Sequence, residues 1–158
     1  MKKLVCLLLV GFLLTGCALL NNTKTYTSNG ISVTMDSGFY EKELVSQTVY
    51  LESKDAIFTA LKEDYASLAA VNITKDSTLK DYTDIVKTVN GMTESFTEKD
   101  GLIYATYEKN VSGKDFFYLV TAYKTDDAFW LVNFACNKKD KAKFEPKFIE
   151  WAKTVEFK

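Results

Sequence analysis

A chain of 158 residues with 47% hydrophobic and 14% aromatic side chains is the size of one domain and can build a packed core, which excludes an intrinsically disordered chain. Its formal net charge is −1 and its basic residues are all lysine, so it has neither the basic footprint of a nucleic-acid binder nor a guanidinium clamp for phosphate. Histidine is absent, which removes the commonest general base at neutral pH and, with so few cysteines, any zinc site of ordinary spacing.

Lys2 and Lys3 precede an apolar run, Leu4 to Leu14, broken by Cys6 and Gly11. The run is too short for a bilayer core, which takes about 20 apolar residues, and has the layout of a secretory signal. Leu14-Thr15-Gly16-Cys17 resembles the lipobox of bacterial lipoproteins: an aliphatic residue, two small residues, then cysteine. The resemblance implies a diacylglyceryl group on the Cys17 thiol, carrying acyl chains of the palmitate kind, and cleavage between Gly16 and Cys17. That divides the chain into a signal peptide (1–16), a lipidated terminus and short tether (17–25) and a single globular α+β domain (26–158). Each buried CH₂ contributes about 0.8 kcal/mol, and two acyl chains suffice for stable residence. The tether Ala18 to Lys24, fully extended, reaches about 25 Å. The expected location is therefore the extracytoplasmic face of the cell membrane, with the covalent lipid on Cys17 and no other cofactor. Cys136 is then the lone remaining thiol, and no intrachain disulfide is expected.

Tyr26 to Met35 reads as a hairpin, because Asn29-Gly30 is a two-residue turn signal and Ile31, Val33 and Met35 alternate with Ser32 and Thr34. Gln47 to Glu52 and Ala56 to Lys62 read as two strands joined by Ser53-Lys54-Asp55. Glu63 to Ala70 reads equally as a helical turn or as a continuation of the strand. Thr78 opens the clearest helix, with Leu79, Tyr82, Ile85, Val86, Val89 and Met92 on one face and Asn90-Gly91 as its stop. Thr78 and Asp81 have the spacing of a capping box. Strands follow over Thr93–Glu98, Leu102–Lys109, Asp115–Lys124 and Ala128–Asn137, with turns at Lys99-Asp100-Gly101, Ser112-Gly113-Lys114 and Asp126-Asp127. The last two strands are apolar on both faces, the pattern of central strands covered on both sides. A final helix runs from Lys139 to about Lys153, with Phe144, Phe148, Trp151, Ala152 and Val155 on its buried face. Pro146 belongs in a first turn, which moves the expected regular start to near Phe144. Thr154 to Phe157 reads as a short closing strand.

The order Ser28-Asn29-Gly30-Ile31-Ser32-Val33, then Ala60-Leu61-Lys62-Glu63, then Thr78-Leu79-Lys80-Asp81-Tyr82, then Ile149-Glu150-Trp151-Ala152 through Phe157, resembles the Mog1/PsbP-like group, which includes small bacterial lipoproteins. The resemblance covers about residues 26–157. It implies a three-layer α/β/α sandwich around a mainly antiparallel central sheet, and a partner-binding module rather than an enzyme. One type in that group engages a small GTPase and another stabilises a photosynthetic complex. No contact residue of either transfers to this chain, so only the fold-level analogy does.

No constellation of residues points to a reaction. Cys136 shares strand parity with Trp130, Val132 and Phe134, so it is expected to be a buried, inert thiol. The adjacent acids Asp126-Asp127 and Glu63-Asp64 read as solvated turn residues, too few and too loosely placed for calcium. Tyr104, Tyr107, Tyr118, Tyr123 and Trp130 lie on neighbouring strands, either as core or as the lining of a pocket for a glycan or an apolar ligand. Lys138, Lys139, Lys141 and Lys143 form a solvated face or a contact with anionic headgroups. The expectation is a membrane-tethered, non-catalytic module that binds an envelope protein, with no nucleic-acid partner; the alternative is a ligand-binding lipoprotein with an aromatic-lined pocket.

Overall fold

Local turn chemistry sets where the strands begin and end. The computed structural model describes residues 22–158; the expected signal segment, the Gly16–Cys17 junction and the first part of the expected tether lie outside the described residues, and the rest of that tether, from Thr23, is already paired as strand. β1 (Thr23–Ser28) and β2 (Ile31–Asp36) are joined by Asn29-Gly30 with φ of 46° and 85°, the left-handed pair of a type I′ turn whose twist matches that of the strands. The same backbone pair recurs at Asp100-Gly101 and Ser112-Gly113. β3 (Tyr40–Glu41), β4 (Val49–Glu52) and β5 (Ala56–Asp64) follow, then α1 (Tyr65–Leu68) and a 3₁₀ turn over Ala69–Val71. After α2 (Leu79–Val89) come β6 (Thr97–Lys99), β7 (Leu102–Val111), β8 (Lys114–Lys124) and β9 (Ala128–Asn137). A 3₁₀ turn at Lys138–Asp140, α3 (Lys141–Ala152) and β10 (Glu156–Phe157) end the chain.

Two antiparallel sheets result. The larger has seven strands in the order β3-β4-β5-β9-β8-β7-β6, the smaller three in the order β1-β2-β10. The two runs that are apolar on both faces, β8 and β9, sit at the centre of the larger sheet, as their composition requires. One face carries Phe58, Phe117, Leu119, Trp130, Val132 and Phe134, which pack against Phe144, Phe148 and Trp151 of α3 and Ile31, Val33 and Met35 of β2. The other carries Ala122 and Phe129, which pack against Leu68, Ile73, Tyr82 and Val86 from α1, its following loop and α2. The molecule is therefore α+β in three layers, with α2 on one side and α3 plus the small sheet on the other. Thr154 ties the small sheet to α3: its hydroxyl accepts from the Thr34 N–H at 2.9 Å and lies 2.7 Å from the Trp151 carbonyl.

Local signals explain most boundaries. Thr78 and Asp81 close a complete capping box at the start of α2. Residues Glu63–Ala70, readable either way, divide: β5 runs to Asp64, whose carboxylate then accepts from the Ser67 N–H at 2.7 Å and caps α1. At the outer edge, Glu52 takes the Lys42 ammonium and the Tyr40 and Tyr50 hydroxyls, and these hold its carboxyl down to about 2. That cluster pins the two-residue strand β3, which has no pattern of its own to betray it.

Three expectations are corrected. The strand over Thr93–Glu98 shrinks to Thr97–Lys99, because the chain first folds back over the end of α2: the Met92 N–H bonds the Lys87 carbonyl at 3.0 Å and the Lys87 ammonium bonds Ser95 at 2.8 Å. α3 starts at Lys141, not near Phe144, with Pro146 inside it. The carbonyl of Ala142 that Pro146 leaves without a donor belongs to an exposed residue, so it is not stranded in the core. Val89, on the predicted buried face of α2, is 73% exposed, because the helix covers only part of the sheet beneath it.

Candidate functional site

The uncovered part of the sheet forms a groove. Register builds its floor: on the face toward α2, Thr59 pairs with Asn133, Leu61 with Leu131 and Glu63 with Phe129, while β8 adds Val120 opposite Asn133 and β7 adds Tyr107 opposite Tyr118. The walls are Leu68 and Val71 on one side and Tyr82, Ile85, Val86 and Val89 of α2 on the other, with Met92 and Gln47 at the ends. The volume of this open trough is about 580 Å³, in the range of small-ligand sites. Val71 and Val89 are exposed apolar side chains of the lining, and Leu44 and Val45, three and two residues before Gln47 in the chain, are exposed as well.

Several interactions fix the shape of this groove. Tyr82 is 1% exposed and stacks on Phe129, with ring centroids 4.5 Å apart and planes 9° from parallel. Its hydroxyl donates to Glu63 Oε2. Burial first, and then that carboxylate, raise the Tyr82 phenol far above its ordinary value. Tyr65 meets the edge of Phe129 at 5.6 Å and donates to the Thr125 carbonyl at 2.6 Å, which anchors α1. Tyr107 and Tyr118 stack on each other at 4.8 Å, planes 6° from parallel, and stand half-buried at the open end. Burial, with smaller contributions from Tyr118 and Glu94, pushes the Tyr107 phenol up to about 12. The groove is thus an apolar and aromatic trough with hydroxyl, amide and carboxylate groups along it.

The five aromatic residues singled out from sequence do not come together. Tyr107 and Tyr118 line the groove, whereas Tyr104, Tyr123 and Trp130 face α3 and join the opposite core. There Tyr123 donates to the Ala152 carbonyl at 2.7 Å, and Phe157 packs on Tyr123 at 5.3 Å and Trp130 at 5.0 Å. Parity is the reason: residues separated by an odd number on one strand point to opposite faces. That arithmetic on Tyr104 with Tyr107, and on Tyr118 with Tyr123, is the signal that separates them. Glu63 also departs from expectation. It is a strand residue half-buried in the groove, not a solvated turn residue, and its alternation with Thr59 and Leu61 marks it. Gln47 and Asn133 carry no sequence signal for the site; only the pairing of β4, β5 and β9 places them there.

The remaining candidates stay outside this groove. Cys136 is 2% exposed within the α3-side core, and burial, helped by the charge of Asp140, pushes its thiol up to about 11. Asp127 pairs with Lys62 at 2.6 Å in the turn before β9. Of the lysine run, Lys138 and Lys141 both reach Glu108, at 2.7 and 3.5 Å, and Lys143 faces Asp55 at 3.9 Å, so part of that positive charge is already matched. Cys17 lies outside the described residues.

No known protein family and no curated protein matches the chain by sequence. Solved structures do share its fold. The chain is similar to a protein of Bacteroides thetaiotaomicron known from a crystal structure, at 14% identity and a TM-score of 0.55, over 85% of this chain and 48% of that one. It therefore spans about half the length of that protein. It is also similar to cyanobacterial PsbP (CyanoP) from Synechocystis sp. PCC 6803, known from a solution structure, at 12% identity and a TM-score of 0.54, over 90% of this chain and 96% of that one. At such identities the likeness is one of fold, and the fold is PsbP-like, as the order of elements implies.

Proposed function

We propose that this chain is a lipid-anchored, non-catalytic binding module on the outer face of a cell membrane, and that its working surface is the groove between α2 and the large sheet. The groove carries the reading: a volume of about 580 Å³ bounded by Leu61, Leu131, Val86, Tyr107 and Tyr118, with convergent polar groups from Gln47, Thr59 and Asn133, has the composition of a ligand seat. The sequence Leu14-Thr15-Gly16-Cys17 supports the anchor. A diacylglyceryl group at Cys17 holds the domain close to the bilayer, and any membrane-bound source of ligand is then met at raised effective concentration.

Native mass spectrometry of the protein released from its own membrane tests both parts. The expected spectrum has a first residue of Cys17 bearing diacylglyceryl, and a second, non-covalent mass increment that Thr59→Trp abolishes by filling the groove floor. A free thiol on an uncleaved chain overturns the anchor. A ligand-free wild type, or an increment that survives Thr59→Trp, overturns the groove.

A protein partner is the second reading, and the rim favours it. Val45, two residues before Gln47, is fully exposed and Val71 and Val89 of the groove wall are exposed, so among the described residues the groove mouth has an uncovered apolar margin. Photo-crosslinkers at Val45 and Val89 that trap one discrete envelope protein in intact cells, while one at Lys114 traps none, support that reading; equal labelling from all three sites removes it.

A further inference from the structure

We infer that the groove takes an organic cation: a primary ammonium on an apolar body, with its charge against Glu63 and its hydrogen-bond donors shared with Gln47. The inference rests on the groove being a ligand seat and adds the class of ligand. Glu63 is half-buried on the groove face of β5, directly opposite Phe129 across the sheet. The nearly inaccessible Tyr82 hydroxyl donates to its Oε2 and orients the carboxylate. Among the described residues no ion pair includes Glu63, and no lysine reaches its carboxylate. Glu63 thus offers an oriented, half-buried carboxylate whose one hydrogen-bond donor among the described residues is Tyr82, and an ammonium placed there would add a charge-assisted hydrogen bond.

A second, independent observation lies beside it. The side-chain Oε1 of Gln47 is buried and has no hydrogen-bond partner. Thr48 holds Gln47 next to this end of β5: its N–H bonds the Ala60 carbonyl at 2.9 Å, and its hydroxyl accepts from the Lys62 N–H at 2.8 Å. The groove thus presents an amide acceptor and a carboxylate, both short of donors. No lysine lines it. Lys124, on the same face of β8, is committed to the Lys75 and Ser77 carbonyls at 2.6 and 2.7 Å. An anionic ligand would find no counter-charge there. An ammonium has three donors and finds acceptors, while Leu61, Val120 and Leu131 and the edges of Tyr107 and Tyr118 receive its apolar body.

Titration calorimetry on the full-length protein in nanodiscs of zwitterionic lipid tests this with three matched probes: phenylpropylammonium, phenylpropanol and phenylpropanoate. The ammonium is expected to bind about ten- to a hundredfold tighter than the alcohol, as for a hydrogen bond to a charged group, with the carboxylate weakest. Glu63→Gln keeps an acceptor for Tyr82 and is expected to erase the preference for the ammonium while leaving the alcohol unchanged. Thr59→Trp is expected to block all three and so subtracts binding to lipid. Equal affinity for ammonium and alcohol, or a preference that survives Glu63→Gln, overturns the cation and leaves the groove as a seat. Failure of all three probes overturns the cation as well, and the native mass spectrum then decides separately whether the groove holds anything.

Discussion

On the α3 face of the large sheet the central rings form a continuous cluster: Phe134 meets Phe58 at 5.3 Å, Phe148 at 5.5 Å and Trp151 at 6.2 Å, and all four are buried. On the α2 face, Phe129 is enclosed between Tyr82 and Tyr65, but Tyr107 and Tyr118 stack on each other with only Phe116, 6.3 Å from Tyr118, beside them. The difference comes from the length of the covering elements. The eleven residues of α2 make a helix of about 16 Å, whereas the eleven residues of β8 span about 36 Å. α3 is scarcely longer than α2, at 12 residues, but its face is also covered by β1, β2 and β10. The α2 face has only the four residues of α1 and the loop after it to add. A sheet covered by one short helix is left with a trough, and side chains chosen to pack become side chains free to bind.

Mutations on the two faces sharpen this contrast most strongly. Phe134→Ala is expected to cost about 3–5 kcal/mol, because the ring leaves a cavity in a set of rings that cannot collapse. Tyr118→Ala is expected to cost only about 1–2 kcal/mol, the loss of one aromatic pair and part of a buried surface. Urea denaturation of both variants measures the difference, and equal losses would show that the groove face is as tightly packed as the other. A smaller effect is expected at the groove wall. Thr78→Ala removes the reciprocal cap of α2 and is expected to lower stability by about 1 kcal/mol, with hydrogen exchange rising first in Leu79–Tyr82.

The smallest effect is a titration. The Tyr107 phenol, held up to about 12, should ionise before Tyr123, which burial pushes higher still on the closed face. Both folded-state values lie above the unfolded value of about 10, so the neutral phenols favour the fold. That contribution is complete below about pH 10 and is lost as the pH rises through the folded values. Ultraviolet difference titration of Tyr107→Phe and Tyr123→Phe should remove an earlier and a later step respectively. Simultaneous loss of both tyrosines would mean that neither face opens before the other.

Much of this architecture was legible in particular residues. Asn29-Gly30, Thr78 with Asp81, and the two doubly apolar strands each carry their meaning within a few positions, since turn geometry, capping and alternation are local physics. Pro146 misled for the same reason: its cost was read from the chain alone, and the exposed position that makes the missing hydrogen bond harmless depends on which side of α3 meets the sheet. Strand parity placed Cys136 correctly among Trp130, Val132 and Phe134. The same parity divides Tyr104 from Tyr107, and Glu63 from the solvated acids, and these separations hold the key to the groove.

The amino-acid order by itself determined most of the strands and helices and that β8 and β9 must be central, because each of these depends on periodicity and turn residues within short stretches; the layered arrangement is what the resemblance to the PsbP-like group implies. Only the tertiary structure decided that α2 stops short of the sheet it covers and that Gln47, from a loop before β4, reaches the groove beside Glu63. Coverage is a comparison of lengths between elements that are far apart in the chain, and a rise of about 1.5 Å per helical residue against about 3.3 Å per strand residue leaves open ground that no local pattern records.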